Sequence, residues 1–224
     1  MNKILANADH EDLDLRLKTP FTMLVSGPSS SGKTTFCRRL LENRHSIFTK
    51  ASGKVFWFYK VYQPIYTSML QLGVVDEFEE GMCSMEWLAE HRNSTIVIDD
   101  QALDVSEDTS KIFSVGSHHY NVNVIFICQN LFTKNRHFRD ISLNSTYHVI
   151  FKNPRDKSTI SHFARQFAPG KSQDLIRIYN EASEQPHSYL FVDYHQQTPD
   201  NVRMRANLFC ENKQIPIQIF RLSP

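Results

Sequence analysis

Residues 27–35 read Gly27-Pro28-Ser29-Ser30-Ser31-Gly32-Lys33-Thr34-Thr35. This is the pattern Gly-x-x-x-x-Gly-Lys-Ser/Thr, complete at every fixed position. Its flanks decide how to read it. Phe21–Val25 (FTMLV) is a short apolar run that stops in Ser-Gly-Pro, which predicts a buried strand entering a turn. Lys33–Asn43 (KTTFCRRLLEN) carries Phe36, Leu40 and Leu41 at helical spacing, which predicts a helix. Strand, glycine-bearing loop and helix together form a cradle for phosphate. The glycines let the backbone turn its N–H groups inward, and the helix adds its positive end. Lys33 then supplies a charge for terminal phosphates, and Thr34 a hydroxyl for Mg²⁺. Two of the chain's seven glycines fall in this loop.

Further along, Thr95-Ile96-Val97-Ile98 is an uncharged, mostly β-branched run closed by Asp99-Asp100. An acid at the tip of a strand beside a phosphate loop holds Mg²⁺, a role that suits Asp99. The acid next to it is placed to orient or deprotonate a water, which makes Asp100 the candidate base. Lys54–Lys60 (KVFWFYK) predicts an additional strand between the two motifs, and Val122–Cys128 (VNVIFIC) the next core strand. Gln129, at the tip of the latter, is the candidate sensor of the terminal phosphate. Charge developing on that phosphate also calls for a cation, and Arg136, Arg139 and Arg155 all lie downstream of Gln129. The residues alone do not choose among the three.

Helices are predicted over 64–72, 84–91, 106–118, 138–143, 158–167 and 172–182. Further strands are predicted over 147–152, 188–194 and 204–209, the last two as a hairpin around Pro199-Asp200-Asn201. Strands that are continuously apolar have both faces covered, so the expected fold is α/β with a mainly parallel sheet and helices on both faces. The chain has 224 residues, 26.1 kDa, 41% hydrophobic and 22% charged residues. These values fit a globular chain with one ATPase-like core over 21–195, an N-terminal extension (1–20) and a C-terminal strand or tail (196–224). No apolar run reaches the length of a membrane span, and residues 1–18 lack a signal-peptide core, so a soluble, non-secreted protein is expected. Four scattered cysteines without a CxxC pair argue for reduced thiols rather than a zinc or disulfide scaffold.

A net charge of +1 hides an asymmetry. Residues 71–110 hold eleven acids against one base, Arg92, whereas residues 134–177 hold nine bases against three acids. The basic stretch is a candidate surface for a polyanion, and identical subunits in a ring could set an acidic face against a basic one.

Four blocks act as one pattern: GPSSSGKTTF (27–36), IVIDD (96–100), FICQNLF (126–132) and RDISLNSTYHVIFKNPRDKSTISHFARQF (139–167). The combination resembles the DNA-packaging ATPases of the FtsK–HerA superfamily, closest to the branch found in Polinton/Maverick elements, virophages, and adenovirus-like and poxvirus-like viruses. The resemblance spans roughly residues 20–192. It implies a RecA-like ATPase core of the additional-strand, catalytic-acid type. It further implies ATP and Mg²⁺ as ligands, a homo-oligomeric ring of five or six subunits, and double-stranded DNA moved into a capsid through its vertex or portal. The compartment implied is a virus assembly site in the host nucleus or cytoplasm. Gln129 matches the family's sensor glutamine. FtsK-like members place their arginine finger near the segment equivalent to 152–160, where this chain offers Arg155. Two other functions fit the same motifs: a phosphate-loop kinase with an arginine-bearing lid, and a nucleotide-dependent scaffold with little turnover.

Overall fold

A computed structural model describes residues 14–51, 53–209 and 217–223, together with the backbone of 3–5. One ten-stranded sheet organises them. In chain order, strands and helices are β1 (Lys3–Leu5), β2 (Thr22–Ser26), α1 (Lys33–Glu42), α2 (Arg44–Ile47), β3 (Val55–Tyr59), α3 (Ile65–Gln71), β4 (Glu77–Glu80), α4 (Met85–Glu90), β5 (Thr95–Asp99) and α5 (Glu107–Lys111). There follow α6 (Ser117–Tyr120), β6 (Asn123–Cys128), α7 (Arg136–Asn144), β7 (Tyr147–Phe151), α8 (Lys157–Phe167), α9 (Ser172–Ala182), β8 (Tyr189–Asp193), β9 (Met204–Ala206) and β10 (Gln218–Phe220). The sheet order is β1-β10-β9-β8-β7-β2-β6-β5-β3-β4. From β7 to β4 every neighbour is parallel; from β7 back to β1 every neighbour is antiparallel.

The parallel block is buried on both faces, as continuous apolar strands require. Leu24, Phe56, Ile96, Val124 and Ile150 enter one core with residues of α4, α7, α8 and α9. Their chain neighbours Val25, Trp57, Val97, Ile125 and Val149 enter the other with residues of α1 and α3. The side-chain period of two thus feeds two cores from one run of sequence. The antiparallel extension has a different anchor. Arg205 and Asp193 form a buried ion pair at 2.7 Å, and Arg205 also donates to the Leu15 carbonyl at 2.8 Å, tying the leader to the sheet.

Most predicted elements appear within a residue or two of their expected ends, and three departures have plain causes. Glu77–Glu80 (EFEE) forms an edge strand where the sequence pattern predicts no element. Its glutamates protect the open edge from further pairing. The helix predicted over 106–118 starts at a Ser106–Thr109 capping box, widens into a π turn over Ile112–Gly116 and ends at Asn121 in the left-handed region. The strand predicted over 204–209 pairs only over Met204–Ala206, and Asn207 at φ 55° turns the chain away. Cys37, Cys83 and Cys128 are buried free thiols; Cys210 lies outside the described residues.

Candidate nucleotide-binding site

The loop 27–32 begins where β2 stops. Gly27 N–H donates to the Cys128 carbonyl at 3.3 Å, fastening the loop to the tip of β6. A Cβ on Gly27 would lie 2.6 Å from Phe151 Cβ and 2.8 Å from Ser31 Oγ, so only glycine fits. Gly32 has φ +105°, in the region that favours glycine. The first intrahelical bond of α1 runs from Phe36 N–H to the Gly32 carbonyl. The N–H groups of Lys33, Thr34 and Thr35 are therefore free of intrahelical acceptors, and no acid stands in the first turn to answer them. Ser31 Oγ is buried without a hydrogen-bond partner. Pro28, Ser29 and Ser30 form the outer wall of the loop, with Ser30 at φ 62°.

Lys33 Nζ donates to the carbonyls of Gly27 (2.7 Å) and Pro28 (2.9 Å). Burial pushes its pKa down, while the charges of Asp99 and Asp100 act in the opposite direction. The acids are close because β6 lies between β2 and β5, and register places Asp99 opposite Ile127. Asp99, 3% exposed, accepts a 2.8 Å hydrogen bond from Tyr66 Oη. Burial raises its carboxyl to about 6, with Asp100 adding to the rise and Tyr66 and Lys33 opposing it. Trp57 Nε1 lies buried in the same cluster without a well-formed bond. Asp100 is exposed and sits at φ 55°, a left-handed conformation, and its N–H donates to the Ile127 carbonyl. Gln129 Nε2 lies 3.2 Å from both Asp100 carboxylate oxygens, bridging the tips of β5 and β6.

Lys33, Asp99, Asp100 and Gln129 are thus gathered at one end of the parallel block. The arginines are not gathered with them. Arg136 and Arg139 sit exposed on α7, and Arg136 Nε donates to His137 Nε2 at 3.2 Å. Arg155 is exposed in the β7–α8 connection, where its N–H donates to Asn153 Oδ1. Asn153 and Asp156 of that connection line a narrow cleft with Gly27, Gln129 and Asn130. Among the described residues, none of the three guanidinium groups makes an ion pair.

A cavity of about 580 Å³ opens beside the loop, lined by Thr34, Thr35, Arg39, Gln63, His187 and Phe209 among others. His187 Nδ1 lies 3.1 Å from the Ser31 carbonyl. A larger hollow of about 800 Å³ lies elsewhere, around His148, Phe163, Tyr194 and Arg203. It contains none of the loop or the acids and is not the candidate site. Phosphate and Mg²⁺ fit the residues at the loop: a partly buried ammonium, a buried hydroxyl without a partner among the described residues, helix-start N–H groups without intrahelical acceptors, and hydroxyl and carboxylate oxygens as hard donors. Tyr66 and His187 carry no motif; only the tertiary fold brings them here.

No family model and no curated protein sequence matches the chain. Among solved structures, it is similar to the genome packaging NTPase B204 from Sulfolobus turreted icosahedral virus 2, solved in complex with ATP-gammaS. The TM-score is 0.53 at 10% identity, over 91% of this chain and 98% of that one. Weaker likenesses are to the cytoplasmic domain of the Thermomonospora curvata Type VII secretion ATPase EccC (TM-score 0.47, 14% identity, 90% of this chain, 25% of that one) and to the flagellar accessory protein FlaH from Methanocaldococcus jannaschii (0.41, 15%, 65% and 80%). The B204 likeness places the chain in the α/β fold of phosphate-loop NTPases, with a mostly parallel central sheet. Among the described residues, no helix is long and apolar enough to cross a membrane.

Proposed function

We propose that this chain is a Mg²⁺-dependent ATPase that drives double-stranded DNA into a viral or virus-like capsid, as a member of the FtsK–HerA superfamily near its Polinton-type branch. The observation that carries the reading is the convergence of loop, acid pair and glutamine on adjacent strand tips, in the order β2-β6-β5. The B204 structure adds support, because a protein described as a genome packaging NTPase shares this fold over nearly its whole length.

In this reading Lys33 leaves its two carbonyl partners for the terminal phosphate oxygens of ATP. The N–H groups of 33–35 and Ser31 Oγ hold the remaining phosphate oxygens. Thr34 and Asp99 would hold Mg²⁺, which neutralises phosphate charge when bound with the nucleotide. Asp100 takes the proton of the attacking water, and Gln129 fixes the orientation of its carboxylate. An arginine, Arg155, Arg139 or Arg136, would come from a neighbouring subunit of a ring. The acidic stretch 71–110 and the basic stretch 134–177 would suit such head-to-tail contact. DNA would be gripped through its backbone, with little sequence preference. The core would span 21–195, the capsid vertex or portal would be the docking partner, and the site of action the host nucleus or cytoplasm.

The test is steady-state ATP hydrolysis with and without double-stranded DNA, alongside Asp100→Asn. DNA-stimulated, salt-sensitive hydrolysis that the substitution abolishes is expected. Hydrolysis indifferent to DNA, or phosphate transfer to a small acceptor, would overturn the packaging reading in favour of a kinase. Nucleotide binding without turnover would favour a scaffold.

A further inference from the structure

Asp99 makes one well-formed side-chain hydrogen bond among the described residues, from Tyr66 Oη to Oδ2 at 2.8 Å. Tyr66 belongs to α3, the helix joining β3 to the edge strand β4. Its ring is buried and held on every side. Phe78 of β4 stacks on it at 4.8 Å and 24°, and Trp57, Tyr59 and Tyr62 pack around it with centroids 5.5–5.6 Å away. Such a ring cannot swing, so its hydroxyl stays at a fixed point. A carboxylate accepting that bond cannot rotate freely about its own axis either.

We propose that Tyr66 is a positioning residue for Asp99: by holding Oδ2 it fixes the rotation of the carboxylate that would take a metal ion. The inference rests on the ATPase reading above. It gives the β3–α3–β4 segment a second task beyond completing the sheet, because the stack on Phe78 links the edge strand to the metal-holding acid. Groups that orient a metal ligand in this way are typically worth about 10- to 100-fold in metal affinity or activity.

Tyr66→Phe keeps the stack and removes only the hydroxyl. Binding of a fluorescent ATP analogue and ATP hydrolysis would be measured against Mg²⁺ concentration in wild type and variant. Nucleotide affinity in EDTA is expected to stay within about twofold of wild type, while the Mg²⁺ concentration for half-maximal binding and turnover rises by roughly tenfold or more. At saturating Mg²⁺, KM for ATP should be unchanged and kcat lower. An unchanged Mg²⁺ requirement, even with a lower melting temperature, would mean a structural role only and would overturn the proposal. Phe78→Leu gives a second reading, since it loosens the ring and keeps the hydroxyl. It should raise the Mg²⁺ requirement in the same direction by a smaller factor, and no rise would count against the proposal. Wild-type protein that binds no nucleotide would instead remove the ATPase reading itself.

Discussion

The loop-and-acid region and the arginine region lie on the same chain but are built to different degrees. Around the phosphate loop the charged groups have partners: Lys33 on two carbonyls, Asp99 on Tyr66, Asp100 on Gln129. Most of this region is fixed by strand tips that register holds side by side. The arginines stand on a helix surface and in a loop, exposed and without ion pairs among the described residues. Buried groups are positioned by their own fold, whereas exposed cations are positioned by whatever they meet. The difference fits the proposed ring, in which one copy would supply the phosphate cradle and a second copy the cation.

If so, the three arginines must separate sharply. Replacing the acting one by Ala should cost about 10³-fold or more in turnover while leaving nucleotide binding intact. The other two should stay near wild type in hydrolysis. Equal, small losses at all three, measured by phosphate release, would erase the contrast. On the other side, Asp100→Asn should lower kcat by about 10²- to 10⁴-fold with little change in ATP affinity.

The cost of building the acid region is visible in stability. Asp99 has its pKa raised from 3.8 to about 6 by burial. The folded protein then binds the extra proton between those values, so the contribution of Asp99 to stability is fully present below 3.8 and lost as pH rises through 6. Asp99→Asn should remove this slope and stabilise the metal-free protein at pH 7–8 by up to about 3 kcal/mol, read from denaturant unfolding. His148 works in the opposite sense. It is buried near the start of β7, the strand beside β2, with its pKa lowered from 6.5 to about 4 by burial. Its contribution is present above pH 6.5 and lost as pH falls through 4. His148→Gln should flatten that acid limb in a pH series of melting temperatures, a smaller change because the substitution also loosens packing against Phe163 and Tyr194.

Much of this was legible in the chain itself, for local reasons. The loop motif is contiguous, and Asp99-Asp100 and Gln129 each follow an apolar run long enough to be a buried strand. Continuous apolar runs also announced the parallel sheet. What the chain concealed depends on tertiary placement. Tyr66 stands at helical spacing with Met69 and reads as core, yet its hydroxyl reaches an acid 33 residues away. His187 sits in a turn with no pattern, yet rests against the loop. Glu77–Glu80 is a strand because β3 offers it an edge, against its own composition.

The most direct test mixes two inactive proteins. Lys33→Ala has no working cradle but keeps its arginines; an Arg155→Ala chain, or its Arg136 or Arg139 counterpart, keeps the cradle. Mixed at concentrations that allow assembly, Lys33→Ala and one of the arginine variants should recover DNA-stimulated ATP hydrolysis that neither has alone. No recovery with any of the three, from variants that still bind DNA and assemble, would contradict a site shared between copies.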